Sequence, residues 1–198
     1  MDFLKTNDPE FIIFDTEFTA WEGSHARRWS GPGEYMEIVE IGAIKVDTER
    51  LEEVAEFSVL VKPLKNPVLS EYFISLTGIT NERVEREGVS LTEAIKKFSE
   101  FVGDLPTYSF GGDETVIKKN CDLLGVPFQM SKNSFFNVVE VFEAQNVPAS
   151  KFTSGTVLRA FGKEPLRVAH TGREDSRSIL DGLRELKSGL VRAGAEEK

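Results

Sequence analysis

The sequence predicts an α/β domain whose mixed sheet opens as an antiparallel meander and receives its later strands through helical crossovers. Three observations carry this. β-type apolar segments crowd the early chain, at 10–18, 37–46 and 53–62. Helical patterns alternate with short strand patterns after residue 68. The joins between them are mostly short and rich in glycine, proline and polar residues.

Residues 10–18 (EFIIFDTEF) read as a buried strand whose apolar run ends in acids. Strands at 37–46 (EIVEIGAIKV) and 53–62 (EVAEFSVLVK) follow, joined by the polar stretch 47–52, and Pro63 and Pro67 break the pattern. Residues 68–87 read as short helices around Thr77-Gly78-Ile79-Thr80. Ser90-Leu91-Thr92-Glu93 is a capping box that opens a helix with Leu91, Ile95, Phe98 and Phe101 or Val102 near helical spacing. Pro106 to Phe110 form a short strand, and the next helix runs through Asp122-Leu123-Leu124 to stop at Gly125. Residues 134–142 (SFFNVVEVF) read as another strand, 153–161 as short helical pieces, and about 172–190 as the last helix. With no internal repeat or linker, residues 1–198 read as one domain with an irregular loop at about 20–36. Loops of that length are commonly functional or disordered.

Composition narrows the class. At 40% hydrophobic and 29% charged residues, the chain has the make-up of a globular protein. No run approaches the ~18 apolar residues of a membrane helix, so no membrane partner is expected. The opening MDFLKTNDPE has no basic region followed by an apolar run, and the single cysteine, Cys121, fits a reducing compartment; both point to the cytoplasm. Cys121 itself reads as core or helix surface. The net charge of −9 argues against a long grip on a polyanion, because phosphate affinity comes largely from Lys and Arg. The sequence leaves the oligomeric state open.

Three acidic motifs carry the chemistry. Asp15-Thr16-Glu17 closes the first strand, and residues i and i+2 share a face, so both carboxylates point the same way. A solvated strand end would look the same. In His170-Thr171-Gly172-Arg173-Glu174-Asp175, Thr171 and Glu174 form a second capping box. It places His170 just before a helix and Asp175 in its first turn; an acid complementing the helix dipole is the plain alternative. Apolar Ile179, Leu180, Leu183, Leu186 and Leu190 behind them should seat that helix. Ser109-Phe110-Gly111-Gly112-Asp113 places a further acid past a short strand, where a turn with an N-cap aspartate is the usual reading. Together they supply the oxygen ligands that hard cations select, and a base.

The set Asp15-x-Glu17, Asp113 and His170-x4-Asp175 resembles the DEDDh family of 3′–5′ exonucleases, in order and approximate separation across nearly the whole chain. Glu37-Ile38-Val39-Glu40-Ile41-Gly42-Ala43 and Leu76-Thr77-Gly78-Ile79-Thr80 add to the resemblance. The form Asp15-x-Glu17-Phe18-Thr19 with Trp21-Glu22-Gly23, and Lys119-Asn120-Cys121, is similar to the subgroup of sporulation-inhibitor and histone-mRNA exonucleases. Departures are Ala20 where many members have glycine, the long 20–36 loop, and Ser-Phe-Gly-Gly before Asp113, a residue shorter than in that subgroup.

The resemblance implies an RNase H-like mixed five-stranded sheet and hydrolysis of single-stranded RNA or DNA from the 3′ end to nucleoside 5′-monophosphates. It implies two Mg²⁺ or Mn²⁺ ions held by Asp15, Glu17, Asp113 and Asp175, with His170 as general base toward the attacking water. Two such ions would offset four of the nine net negative charges. Phe18, Thr19, Trp21, Leu76 and Ile79 are expected around the terminal nucleotide, with Arg173 a candidate phosphate contact. Arg167, Arg177, Arg27 and Arg28 lie near enough in sequence to be weighed as further contacts, and His25 has no evident partner. Two other classes fit the same residues: a catalytically silent nucleic-acid-binding module on this fold, and a metal-dependent phosphatase for small molecules.

Overall fold

The computed structural model describes residues 4, 6–128, 130, 135–167 and 170–196, with side chains as far as Leu190. Strand β1 (Glu10–Phe18) lies in the middle of a five-stranded sheet of order β3-β2-β1-β4-β5. It pairs antiparallel with β2 (Ile38–Asp47), which pairs antiparallel with β3 (Glu52–Leu60). On its other side it pairs parallel with β4 (Thr107–Ser109), and β4 with β5 (Phe135–Asn137). The meander and the parallel half are arranged as the sequence implies.

Strand alternation divides β1 between two cores. Phe11 and Ile13 face a cluster with Ile44, Tyr108 and the apolar stripe Ile179, Leu180, Leu183 and Leu186 of the last helix, α7 (Gly172–Glu196). Ile12 and Phe14 face the opposite layer, built on α4 (Leu91–Val102) and α5 (Asp113–Leu124). Ser90 caps α4 and Gly125 ends α5 in the left-handed region that favours glycine. Cys121 is buried in this second core. The helices α2 (Glu71–Thr77) and α3 (Asn81–Glu87), capped by Ser70 and Thr80, cover a third cluster beside β2.

Two elements differ from the sequence reading. The stretch 134–142 is not one strand: β5 stops at Asn137, and α6 (Val138–Glu143) begins there. The Asn137 carboxamide accepts the amides of Val139 and Gly111, capping the helix, and Val138, Val141 and Phe142 bury at helical spacing. α7 runs past 190, and Leu190 is 40% exposed rather than seated with the other apolar residues.

The 20–36 loop is ordered by its own hydrogen bonds. It contains the short helix α1 (Ser24–Arg27), with Ser24 buried and bonded to the Trp21 amide. Its far end is tied down by Asn66, which donates to the Gly33 carbonyl and accepts from the Tyr35 amide. The buried Glu37 carboxylate gathers the amides of Leu64, Lys65 and Asn66. Asn120 accepts from Ile38 and donates to Met36.

Candidate active site

Alternation along β1 turns Asp15 and Glu17 toward α7, on the face that Phe11 and Ile13 occupy lower down. α7 brings Asp175 to meet them. Carboxylate oxygens of Asp15, Glu17 and Asp175 come within 4.8 Å of one another. Two glycines permit this approach. A Cβ on Gly42, which pairs with Asp15, would lie 2.3 Å from backbone atoms of Gly172 and Arg173. A Cβ on Gly172 would lie 2.6 Å from the Gly42 nitrogen and 2.8 Å from the Asp15 carbonyl oxygen. Only bare backbone lets the helix start lie against the strand.

Glu40 locks the junction. It pairs with Glu17 across β1 and β2, is almost fully buried, and accepts the Gly172 amide at 3.0 Å and the Ser58 hydroxyl at 2.8 Å. The expected capping box at the helix start is half formed: Thr171 Oγ1 accepts the Glu174 amide at 3.4 Å. The Glu174 carboxylate turns instead to Arg167 and Arg177.

His170 is exposed, its backbone is in the left-handed region (φ 77°), and its amide donates to Asp175 Oδ2 at 2.8 Å. Asp175 Oδ1 is buried and finds no hydrogen-bond partner among the described residues.

Asp113 approaches from the other face of β1. Thr16, between the two acids, points toward α5, and both its amide (3.1 Å) and its hydroxyl (2.5 Å) donate to Asp113 Oδ1. Asp113 therefore stands beside the three-carboxylate group, with one oxygen committed to Thr16.

Burial raises all four carboxyls above their ordinary range. Asp15 is held well above it by desolvation and then by the charges of Asp113, Asp175 and Glu17, against which the Ser154 hydroxyl bond works. Glu17 is pushed up to about 8 by burial and by Asp175, Glu40 and Asp113. Asp113 rises to about 6 through burial, moderated by its Thr16 bonds. Asp175 rises to about 6 through burial, moderated by the His170 amide. The neighbouring arginines do not neutralise this group. Arg173 pairs with Glu56, Arg177 with Glu53, Glu56 and Glu174, and Arg167 with Glu174 and Asp181. Among the described residues, clustered hard oxygen donors, a buried carboxylate oxygen without a hydrogen-bond partner and no lysine or arginine paired with the group fit a divalent cation.

The residues expected around a nucleotide fare differently. Phe18 is partly exposed and pairs with Ile38 just past a register shift that follows Glu17. Thr19 is buried; its hydroxyl donates to the Tyr35 carbonyl and accepts the Glu37 amide, so it closes the loop. Trp21 is partly buried, and Leu76 is exposed on α2. Ile79, expected to flank a base, is fully buried in the cluster with Val39, Leu69 and Phe73. Arg173 is likewise committed, to Glu56.

Sequence reasoning missed Glu40, Thr16, Ser154 and Trp29. An acid between valine and isoleucine inside a strand was the available signal for Glu40. Trp29 sets its ring edge-on to Phe18 at 5.3 Å and donates its indole N–H to the Thr19 carbonyl at 2.8 Å.

The RNase_T family, described as exonuclease, matches residues 12–180. A rat protein named 3′-5′ exoribonuclease 1 is 27% identical over 179 residues, covering 84% of this chain and 50% of its own. A mouse ERI1 exoribonuclease 2 is 34% identical over 116 residues, covering 57% of this chain and 16% of its own. The chain thus spans half or less of these relatives' lengths. The nuclease domain of 3′hExo, a DEDDh family member solved with rAMP, superposes with a TM-score of 0.79 at 25% identity, covering 94% of this chain and 96% of that one. E. coli Exonuclease I, solved with a dT13 oligonucleotide, shares the fold at a TM-score of 0.68 and 14% identity, over 96% of this chain and 43% of that one. DEDDh exonucleases use divalent metal ions, and the carboxylate cluster stands where such an ion would be held. By its matched span, its sheet order and the acids gathered at the end of β1, the chain belongs to the DEDDh branch of the RNase_T exonuclease family.

Proposed function

We propose that this chain is a cytoplasmic 3′–5′ exonuclease, a single domain over 1–198 that shortens single-stranded nucleic acid to nucleoside 5′-monophosphates. The observation that carries it is the meeting of Asp15, Glu17 and Asp175 beside His170, with a buried Asp175 oxygen left without a partner among the described residues. The names of the relatives favour RNA.

Asp15, Glu17 and Asp175 would hold one Mg²⁺ or Mn²⁺, and Asp113, through the oxygen that Thr16 leaves free, a second. When bound, such ions supply charge stabilisation for the attacking and leaving oxygens of a phosphodiester displacement. The protein's own groups do the rest. His170, exposed at the helix start, takes the proton of the attacking water. Phe18, Trp21 and Leu76, each with some surface exposed, offer apolar surface to the terminal nucleoside. Thr16 fixes Asp113, and Glu40 fixes the start of the helix that carries Asp175.

The test is incubation of 5′-labelled single-stranded RNA and DNA with the protein and Mn²⁺. Ladders that shorten from the 3′ end, with released 5′-monophosphates and no activity in EDTA, are expected. Internal fragments, free phosphate, or binding without turnover would replace this reading with an endonuclease, a phosphatase or a silent binding module.

A further inference from the structure

Arg28 differs from every other arginine whose side chain is described. Each of the others lies within ion-pair distance of a carboxylate, including its neighbour Arg27, which pairs with Glu34. Arg28 is exposed and has no such partner among the described residues. In a chain of net charge −9, an arginine left uncompensated is unusual, and its position is specific.

Arg28 and Trp29 both hold left-handed backbone, each at φ 54°, where glycine is the ordinary occupant. The conformation is kept by the Arg28 amide donating to the His25 carbonyl and the Trp29 amide donating to the Ser24 carbonyl. Strain retained in a loop by surrounding bonds points to a use for the geometry. Its effect here is to turn Trp29 inward onto Phe18 and the Thr19 carbonyl, next to Glu17 in the chain. His25 closes the outer side of Trp29, ring to ring at 6.0 Å. Arg27 is drawn away to Glu34 and the Glu22 carbonyl. Among the described residues the exposed Arg28 guanidinium is left without a carboxylate partner, one residue from the ring that braces Phe18.

We propose that Arg28 contacts a backbone phosphate of the single strand upstream of its 3′-terminal nucleotide, and that Trp29 fixes the loop so that this contact is in reach. This rests on the exonuclease reading above. A planar, permanently charged guanidinium suits a phosphate.

The test compares two substrates that differ in upstream phosphates. One is a single-stranded oligonucleotide; the other is the p-nitrophenyl ester of thymidine 5′-monophosphate, which has a single phosphodiester. Arg28→Ala should lower the ratio of kcat/KM for oligonucleotide over ester about fivefold to twentyfold, through KM. The salt dependence of log KM for the strand should flatten by about 0.7. Arg28→Lys should recover part of the loss, because the charge is kept. Arg50→Ala, whose side chain pairs with Asp47 far along the sheet, should keep the parental ratio. A ratio within about twofold of the parent, equal losses on both substrates, or an unchanged salt slope would overturn the contact. Binding of a fluorescein-labelled strand, followed by anisotropy, is measured alongside. A parent that binds strands but hydrolyses neither substrate sinks the exonuclease reading, and anisotropy alone then decides Arg28: weaker binding with a flatter salt slope supports it, and parental binding ends it.

Discussion

Glu40 is the acceptor for two donors at the seam between sheet and helix, the Gly172 amide and the Ser58 hydroxyl. Glu40→Ala leaves both donors without their acceptor and should cost about 2–3 kcal/mol in urea unfolding, while Glu40→Gln, which keeps an acceptor oxygen, should recover more than half. An alanine variant as stable as the parent would show that the seam is held elsewhere. His170 is expected to act in turnover and hardly at all in folding. His170→Ala should lower kcat about 10²–10⁴-fold, with partial return on adding imidazole and little change in Tm. A variant that keeps more than about a tenth of the rate would remove it as base. At this scale Asp15, Glu17 and Asp175 are legible because strand alternation and a helix cap each fix a direction. Thr16's hold on Asp113 is not legible, because it depends on how α5 meets β1. The packing of Trp29 on Phe18 is hidden too, since it follows from left-handed backbone at Arg28 and Trp29, for which those residue types give no sign.

Among elements, the apposition of β2 and α7 through Gly42 and Gly172 is the most demanding. A methyl group at Gly42 meets backbone, which cannot swing aside as a side chain can. Gly42→Ala should therefore destabilise by about 3 kcal/mol, at the upper end of overpacking costs, and should shrink the rise in Tm on adding Mg²⁺. Gly189→Ala, on α7, is the control: among the described residues nothing lies within 4 Å of its added Cβ, and the change should stabilise by about 0.5–1 kcal/mol. Equal effects from the two substitutions would show that close approach is not the cause. The elements legible from sequence are those with long apolar periodicity, such as β1, β2, α4 and α7. The segment 134–142 misleads because its β-branched and aromatic residues suit a strand, while Asn137 spends its carboxamide on capping and turns the chain into α6.

For the molecule as a whole, the buried carboxyls set how stability responds to pH. Asp113 and Asp175 titrate near 6 and Glu17 near 8 in the folded protein, against ordinary values of 3.8 and 4.5. Asp15 is raised as well. The folded, metal-free protein therefore keeps protons that the unfolded chain releases. The stability conferred by this set is full below about pH 4 and is lost as pH rises through 6 to 8. Surface acids such as Glu56 and Asp47 shift the other way, their contribution being lost only below their lowered values, so they are silent above about pH 5. Between pH 5.5 and 8 the Tm of EDTA-treated protein should thus fall, and saturating Mg²⁺ should flatten the curve because the cation takes the place of the protons. A metal-free Tm that rises across this interval would contradict the burial of the set.

The first amides of a helix ordinarily exchange with solvent quickly, because nothing within the helix binds them. Gly172 is the first residue of α7, yet its amide is bound to a buried carboxylate beneath a backbone contact that no local motion can open without parting helix from sheet. Its hydrogen should exchange on the timescale of the core strands, through global opening alone. Asp175 rides three residues behind it, so the clustered acids would have no partially loosened state of their own. On heating, loss of turnover and loss of structure should then coincide in a single transition, leaving no temperature at which the protein is folded but its carboxylates have drifted apart.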